Sequence, residues 1–281
     1  FGDGAAGGSA GWTPPADRSF AWIDPGLSAH DVYQAATTDL AWRYALMKLN
    51  PFVVTGIDYA SLHGANGELD LYDDSNAEGL TDQYLLARAE ALHIYTGLFE
   101  VGSDLPGGTF PKGYAQHFFD AELQGDALSD GTVVGLDEGS YIVQQRLFGS
   151  SQDDLIQGGG LADMLFGGHG DDHLDGREEA DYLEGGNGHD AYLVGAGDVI
   201  FESDGSGRVI FDGVVLTGGH RVGGSVVYAS DDGRLRYERV AGDLQVSRVN
   251  DGARVTVRGH HNRGLGISLD EPLPSGSVSH L

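Results

Sequence analysis

The sequence predicts a mixed α+β chain in three parts: an N-terminal helical segment, a parallel β-roll of nonapeptide repeats, and a C-terminal antiparallel β cap. Three observations lead there. Apolar residues recur at helical spacing over 28–49 and again over 80–97. A glycine, an aspartate and a large apolar residue return every nine residues from 149 to 193. Beyond 197, alternating runs are separated by the turn sequences "DG", "SDDG" and "NDG".

Composition narrows the class. The 281 residues suffice for one large domain or two to three small ones with a real core. Acidic residues number 43 against 16 Lys and Arg, a formal charge of −27. Such a surface repels nucleic acid and anionic lipid, and it either stays solvated or recruits cations. Cysteine is absent, so stability must come from packing or bound ions rather than disulfides. No apolar run reaches the roughly 18 residues of a membrane span, and the opening residues are not expected to be a basic, apolar, small-residue leader. The opening "FGDGAAGGSAG" has no initiator methionine and is read as the start of a fragment or a processed piece.

Residues 1–19 are rich in Gly, Ala, Ser and Pro and predict a linker. Residues 20–146 form the helix-containing segment. Ser28 with Asp31 makes a capping-box-like start. Val32, Ala35, Ala36, Leu40, Tyr44 and Met47 then share a helical face until Asn50-Pro51 stops the run. A second helix starts from Thr81 as N-cap and breaks at Gly97. Between the two, "NGELDLYDDSNAEG" is an acidic, turn-rich loop. "GSYIVQQRLFG" reads as a strand leading into the repeats.

The repeats occupy 147–197 and register as GGxGxDxUx, U being a large apolar residue. The five units begin at Gly149, Gly158, Gly167, Gly176 and Gly185. Each has an aspartate at its sixth place (Asp154, Asp163, Asp172, Asp181, Asp190) and an apolar residue at its eighth (Ile156, Leu165, Leu174, Leu183, Tyr192). A short strand with one inward apolar side chain can bury it only by stacking on copies of itself, which predicts a coil with two units per turn. Glycines such as Gly167, Gly168, Gly170, Gly185, Gly186 and Gly188 permit positive φ, so that backbone carbonyls face a point between turns. Carbonyls and aspartates are hard oxygen ligands in a flexible sphere, which favours calcium. Asp154, Asp172 and Asp190 are expected on one edge, Asp163 and Asp181 on the other, holding about three calcium ions. Without the ions the stacked carboxylates repel, so binding and folding are expected to be coupled. Residues 198–271 form the β-rich cap and 272–281 a tail.

"GGHGDDHLDG" and "GGNGHDAYL" resemble the repeat-in-toxin (RTX) calcium-binding β-roll. "VGAGDVIFESDGSGRVIFDGVVLTGG", "SDDGRLRYE" and "VTVRGHHNRGLGISL" resemble the cap that follows such repeats in large secreted bacterial proteins. "RYALMKLNPFVVTGIDY", "NGELDLYD" and "GLTDQYLLARAEAL" resemble a segment between a lipase-like α/β-hydrolase domain and the β-roll in some of them. This resemblance implies secretion through type I machinery, with the export signal near the C-terminal "EPLPSGSVSHL" and calcium-triggered folding outside the cell. It also implies that an upstream hydrolase domain or chain supplies a Ser-Asp/Glu-His triad, with His30 as its general base. The first turn of a helix favours the neutral imidazole that role requires. The nucleophile is then not in this chain, because "GGSAG" around Ser9 lacks the strand that precedes a nucleophile elbow. The alternative is a non-catalytic calcium-binding module of a surface, adhesin-like or toxin protein.

Other motifs carry less. His169 and His173 are four apart, but not on a helix that would bring them together. His260 and His261 are expected to point oppositely in a β context. "YDDSNAEG" lacks the order of an EF-hand loop. Asp24-Pro25 reads as a turn, self-cleavage at Asp-Pro being the resemblance's other implication.

Overall fold

A computed structural model of the chain describes residues 18–65, 67–73, 79–100, 116–121, 144–261 and 263–270. The backbone contacts fall into two compact units: 1–71 with 79–101, and 72–78 with 102–281. "GGSAG", most of "YDDSNAEG" and the tail lie outside the described residues.

The first unit pairs strands β1 (Ser19–Trp22) and β2 (Phe52–Thr55) antiparallel and adds helices α1 (Ala29–Thr38), α2 (Leu40–Met47), α3 (Tyr59–Leu62) and α4 (Asp82–Glu100). Ser28 and Asp31 form a complete capping box at α1. The single run expected over 28–49 is broken at Asp39, whose extended backbone ends α1 while its carboxylate accepts from Ala41 N at 2.8 Å and caps α2. Thr37 and Thr38 loosen the turn before it by donating to the carbonyls of Gln34 and Ala35. Thr81 caps α4 through Tyr84 N at 3.0 Å. Gly97 does not stop that helix, which runs on to Glu100. A lone glycine costs only about 1 kcal/mol against alanine, and the helix formers Leu98 and Glu100 follow it. Asp24-Pro25 is a turn, with the Asp24 carboxylate accepting from Gly26 N.

The second unit is mostly β. One parallel stack runs β3 (Gln116–Asp120), β4 (Gln144–Phe148), β6 (Met164–His169), β8 (Tyr182–Asn187) and β10 (Val199–Phe201). A second runs β5 (Leu155–Gln157), β7 (His173–Asp175), β9 (Ala191–Val194) and β11 (Arg208–Phe211). The chain alternates between the two sheets, giving a parallel solenoid of about four turns. Leu147, Leu165, Leu183 and Ile200 line one inner wall and Ile156, Leu174, Tyr192 and Val209 the other, all fully buried. One apolar side chain per strand is thus enough, because each meets a like residue one turn above and below.

The cap continues the first sheet. Strand β17 (Arg254–Arg258) pairs parallel with β10, and β16 (Asp243–Arg248), β15 (Leu235–Val240) and β14 (Val227–Ala229) follow antiparallel, then β13 (Gly218–Arg221) and β18 (Ser268–Asp270). Strand β12 (Val214–Val215) folds back on β11. "DG" at 212–213, "SDDG" at 230–233 and "NDG" at 250–252 lie at the strand connections. The cap shares its apolar core with the coil, including Tyr237, Val246, Val255 and Leu269.

Candidate metal centre in the coil

The repeat aspartates form two columns held by backbone hydrogen bonds across successive turns. In one, Asp154 N donates to Asp172 Oδ1 and Asp172 N to Asp190 Oδ1, each at 2.8 Å. In the other, Gln145 N donates to Asp163 Oδ1, Asp163 N to Asp181 Oδ1 and Asp181 N to Asp198 Oδ1, at 2.7, 2.8 and 3.0 Å. All six aspartates are buried. Asp198 was not anticipated from the repeat pattern. It stands eight rather than nine residues after Asp190, and the last step of its column spans 17 residues where the others span 18. "GAGDVI" at 195–200 keeps the glycine, aspartate and apolar signature and was the signal available for it.

The second carboxylate oxygens divide the six. Asp154 Oδ2 accepts from Ser150 N at 2.6 Å and Ser150 Oγ at 3.0 Å. Asp163 Oδ2 accepts from Gly159 N and Asp198 Oδ2 from Gly195 N. Asp172, Asp181 and Asp190 each keep an Oδ2 that is buried and meets no donor. Loop conformation accounts for the difference. In the loops of those three, places two and four are left-handed: Gly168 and Gly170 (φ 107° and 120°), Arg177 and Glu179 (70° and 68°), Gly186 and Gly188 (101° and 142°). The corresponding Ser150, Gln152, Gly159 and Leu161 are not. A positive φ at place two turns the N–H away from the aspartate, leaving an oxygen for another partner.

Gly167 and Gly185 have ordinary φ and are required by space instead. A Cβ on Gly167 would lie 2.2 Å from Asp172 Oδ2 and 2.4 Å from Gly185 O, and one on Gly185 would lie 2.1 Å from Asp190 Oδ2. Main-chain carbonyls crowd the same edge. A Cβ on Gly186 would come within 2.1 Å of Gly168 O, and one on Gly188 within 1.9 Å of Gly170 O.

Burial pushes the Asp172 and Asp181 carboxyls up to about 8, with repulsion from the stacked aspartates adding to it. Burial and the Asp204 charge raise Asp190 to about 6. A buried carboxylate oxygen without a donor is costly, and a cation is its natural complement. Among the described residues no three carboxylate or imidazole side chains gather at one point. An ion in these loops therefore takes few carboxylates and completes its sphere with backbone carbonyls, a donor set of hard oxygens that suits calcium rather than zinc.

The remaining candidates stand apart from this arrangement. His30 is exposed in the first turn of α1, its ring 5.7 Å from that of Tyr33. His169 Nδ1 meets Asn187 Nδ2 at 3.1 Å, while His173 sits in β7. His260 is buried against Gly264 O and His261 is exposed.

The RTX calcium-binding nonapeptide-repeat model matches residues 146–174, 157–192 and 166–200. No curated protein matches the chain. Among solved structures, the AlgE6R3 subunit of the mannuronan C5-epimerase of Azotobacter vinelandii is similar at 24% identity. That match covers 49% of this chain and 82% of the other, with a TM-score of 0.30. The repeat match falls on the residues whose stacked loops carry the buried aspartates, so residues 146–200 carry RTX calcium-binding nonapeptide repeats, which here build a β-roll.

Proposed function

We propose that the coil is a calcium-triggered folding module of a secreted bacterial protein, holding about three ions at Asp172, Asp181 and Asp190. The observation that carries this is the set of three buried carboxylate oxygens without donors, in the three loops that have the left-handed pair. Gly168, Gly170, Gly186 and Gly188 supply the backbone turn, and Gly167 and Gly185 the clearance. Asp154 and Asp163, whose Oδ2 atoms are satisfied within their own loops, serve to clamp the stack. When bound, calcium neutralises carboxylates that otherwise repel across successive turns. Where free calcium is far below the roughly 0.1–1 mM such extracellular sites need, the coil stays open, as export through a type I channel requires. For this reading we divide the chain into linker 1–19, helical segment 20–146, coil 147–197, cap 198–271 and tail 272–281, with β3, β4, β10 and β11 extending the coil's two stacks beyond those bounds.

The likeness of residues 43–92 to the segment beside lipase-like domains supports placing the module C-terminal to a serine carboxylic-ester hydrolase, with His30 as general base. The test is a calcium titration of far-UV circular dichroism, paired with a serine-reactive fluorophosphonate probe on native material in millimolar calcium. Asp172→Ala should raise the calcium needed for folding, and an upstream or co-purifying polypeptide should take the label. Unchanged titration defeats the folding role. Absence of label on folded, calcium-loaded material leaves a binding module without chemistry and removes His30 from catalysis.

A further inference from the structure

The three donor-free aspartates do not face equal partners. Asp172 Oδ2 and Gly185 O converge beside Gly167, so the second wall of that site is the next repeat loop. Asp190 has no further nonapeptide loop on its edge. Its second wall is the segment 202–207, which lies beyond the residues matched as repeats. This segment docks on the last repeat by side-chain contacts of its own. Ser203 Oγ donates to Gly186 O at 3.2 Å, and Asp204 Oδ2 accepts from Gly188 N at 3.2 Å. Asp204 Oδ1 accepts from Ser206 N, which holds the loop in shape. A Cβ on Gly207 would fall 2.3 Å from Asp190 O, so the two backbones are in contact.

Glu202 is the unusual residue. Asp190 Oδ2 and the Tyr192 hydroxyl converge on one point, 2.1 and 2.2 Å from where a Cβ on Gly185 would lie, and that hydroxyl touches Glu202, yet Asp190 Oδ2 itself meets no donor. Tyr192 stands at the eighth place of its unit, where the three preceding units have Leu. Its hydroxyl accepts from Gly185 N at 2.9 Å and donates to Glu202 Oε2 at 2.7 Å. The carboxylate is thereby aimed at the gap between the two loops. A buried carboxyl group facing a half-buried one needs a proton or a cation between them.

We infer that residues 185–190 and 202–207 form a terminal calcium site in which Glu202, outside the repeats, joins Asp190 as a carboxylate ligand and Tyr192 positions it. It rests on the reading of the coil as a calcium-binding module. With two carboxylates where the other sites have one, it is the tightest of the set, because affinity in such oxygen sites rises with ligand charge.

The experiment is isothermal titration of the chelator-stripped 281-residue chain with calcium chloride, comparing the unmodified chain with Glu202→Gln, Tyr192→Phe and Asp181→Asn. Glu202→Gln should bind one ion fewer and lose the tightest class, whereas Asp181→Asn should lose a weaker one. Tyr192→Phe should keep the count and weaken the tightest class by roughly tenfold, as loss of a ligand's hydrogen-bonding support does. Circular dichroism in saturating calcium checks that each variant folds. If Glu202→Gln does not fold, an unchanged isotherm for Tyr192→Phe overturns the site. Equal counts and affinities for the unmodified chain and Glu202→Gln make the pair a shared proton and overturn it directly. No calcium uptake by the unmodified chain removes the module reading itself, a failure distinct from the other two.

Discussion

Arg177 and Glu179 occupy the places that glycines fill in the adjacent loops, and both are held left-handed at φ 70° and 68°. An L-residue there costs about 1–2 kcal/mol, partly offset by the greater chain entropy of a glycine. Arg177→Gly and Glu179→Gly should each stabilise the calcium-loaded protein by about 1 kcal/mol, read from urea unfolding midpoints. No change in midpoint would show that these side chains are compensated elsewhere. The aspartates carry a pH signature. Asp172 and Asp181, near 8 in the folded ion-free coil, bind protons that the unfolded chain releases near 4. Because the folded state holds the extra protons, stability of the calcium-free coil should fall as pH rises between about 4 and 8. Calcium affinity should rise over the upper part of that range, since binding displaces those protons. Thermal melts in chelator at pH 5 and pH 8 check the sign, and a coil more stable at pH 8 would contradict the assignment.

At the scale of the element, each strand contributes a single inward side chain, so its loss cannot be shared. Leu165→Ala, in the middle of its stack, should cost about 3 kcal/mol of calcium-loaded stability, measurable by denaturant unfolding. Elements of this kind are legible in a sequence because the period sets both the burial and the turn. Ile156, Leu165, Leu174, Leu183 and Tyr192 are named by register alone, and all are fully buried. The same register stops one unit early, because the step to Asp198 drops a residue that the loop absorbs without losing the ladder bond from Asp181 N. Helix ends were less legible. Asp39 is a mid-pattern residue until its side chain is seen capping Ala41, and Gly97 is a breaker only where the backbone turns left-handed. Which aspartates keep a spare oxygen was also hidden, since it depends on the φ of residues two and four places into each loop. Arg177 and Glu179 show that the conformation does not require glycine.

Across the second unit, coil and cap share one apolar core and one sheet, the exposed edge of the last repeat strand being covered by β17. The coil itself is joined by backbone bonds to carboxylates that repel when no cation is present, so on the proposed reading its stability depends on calcium as well as on packing. The net charge of −27 acts in the same direction, opposing compaction until ions bind. The most direct measurement is amide hydrogen exchange over residues 149–200 in chelator and in millimolar calcium, following the N–H groups of Asp154, Asp163, Asp172 and Asp181 that donate along the two columns. The account predicts that these amides exchange freely without calcium and become strongly protected with it. Equal protection in both conditions would mean that the coil folds without the ion, and would contradict the coupling of calcium to folding.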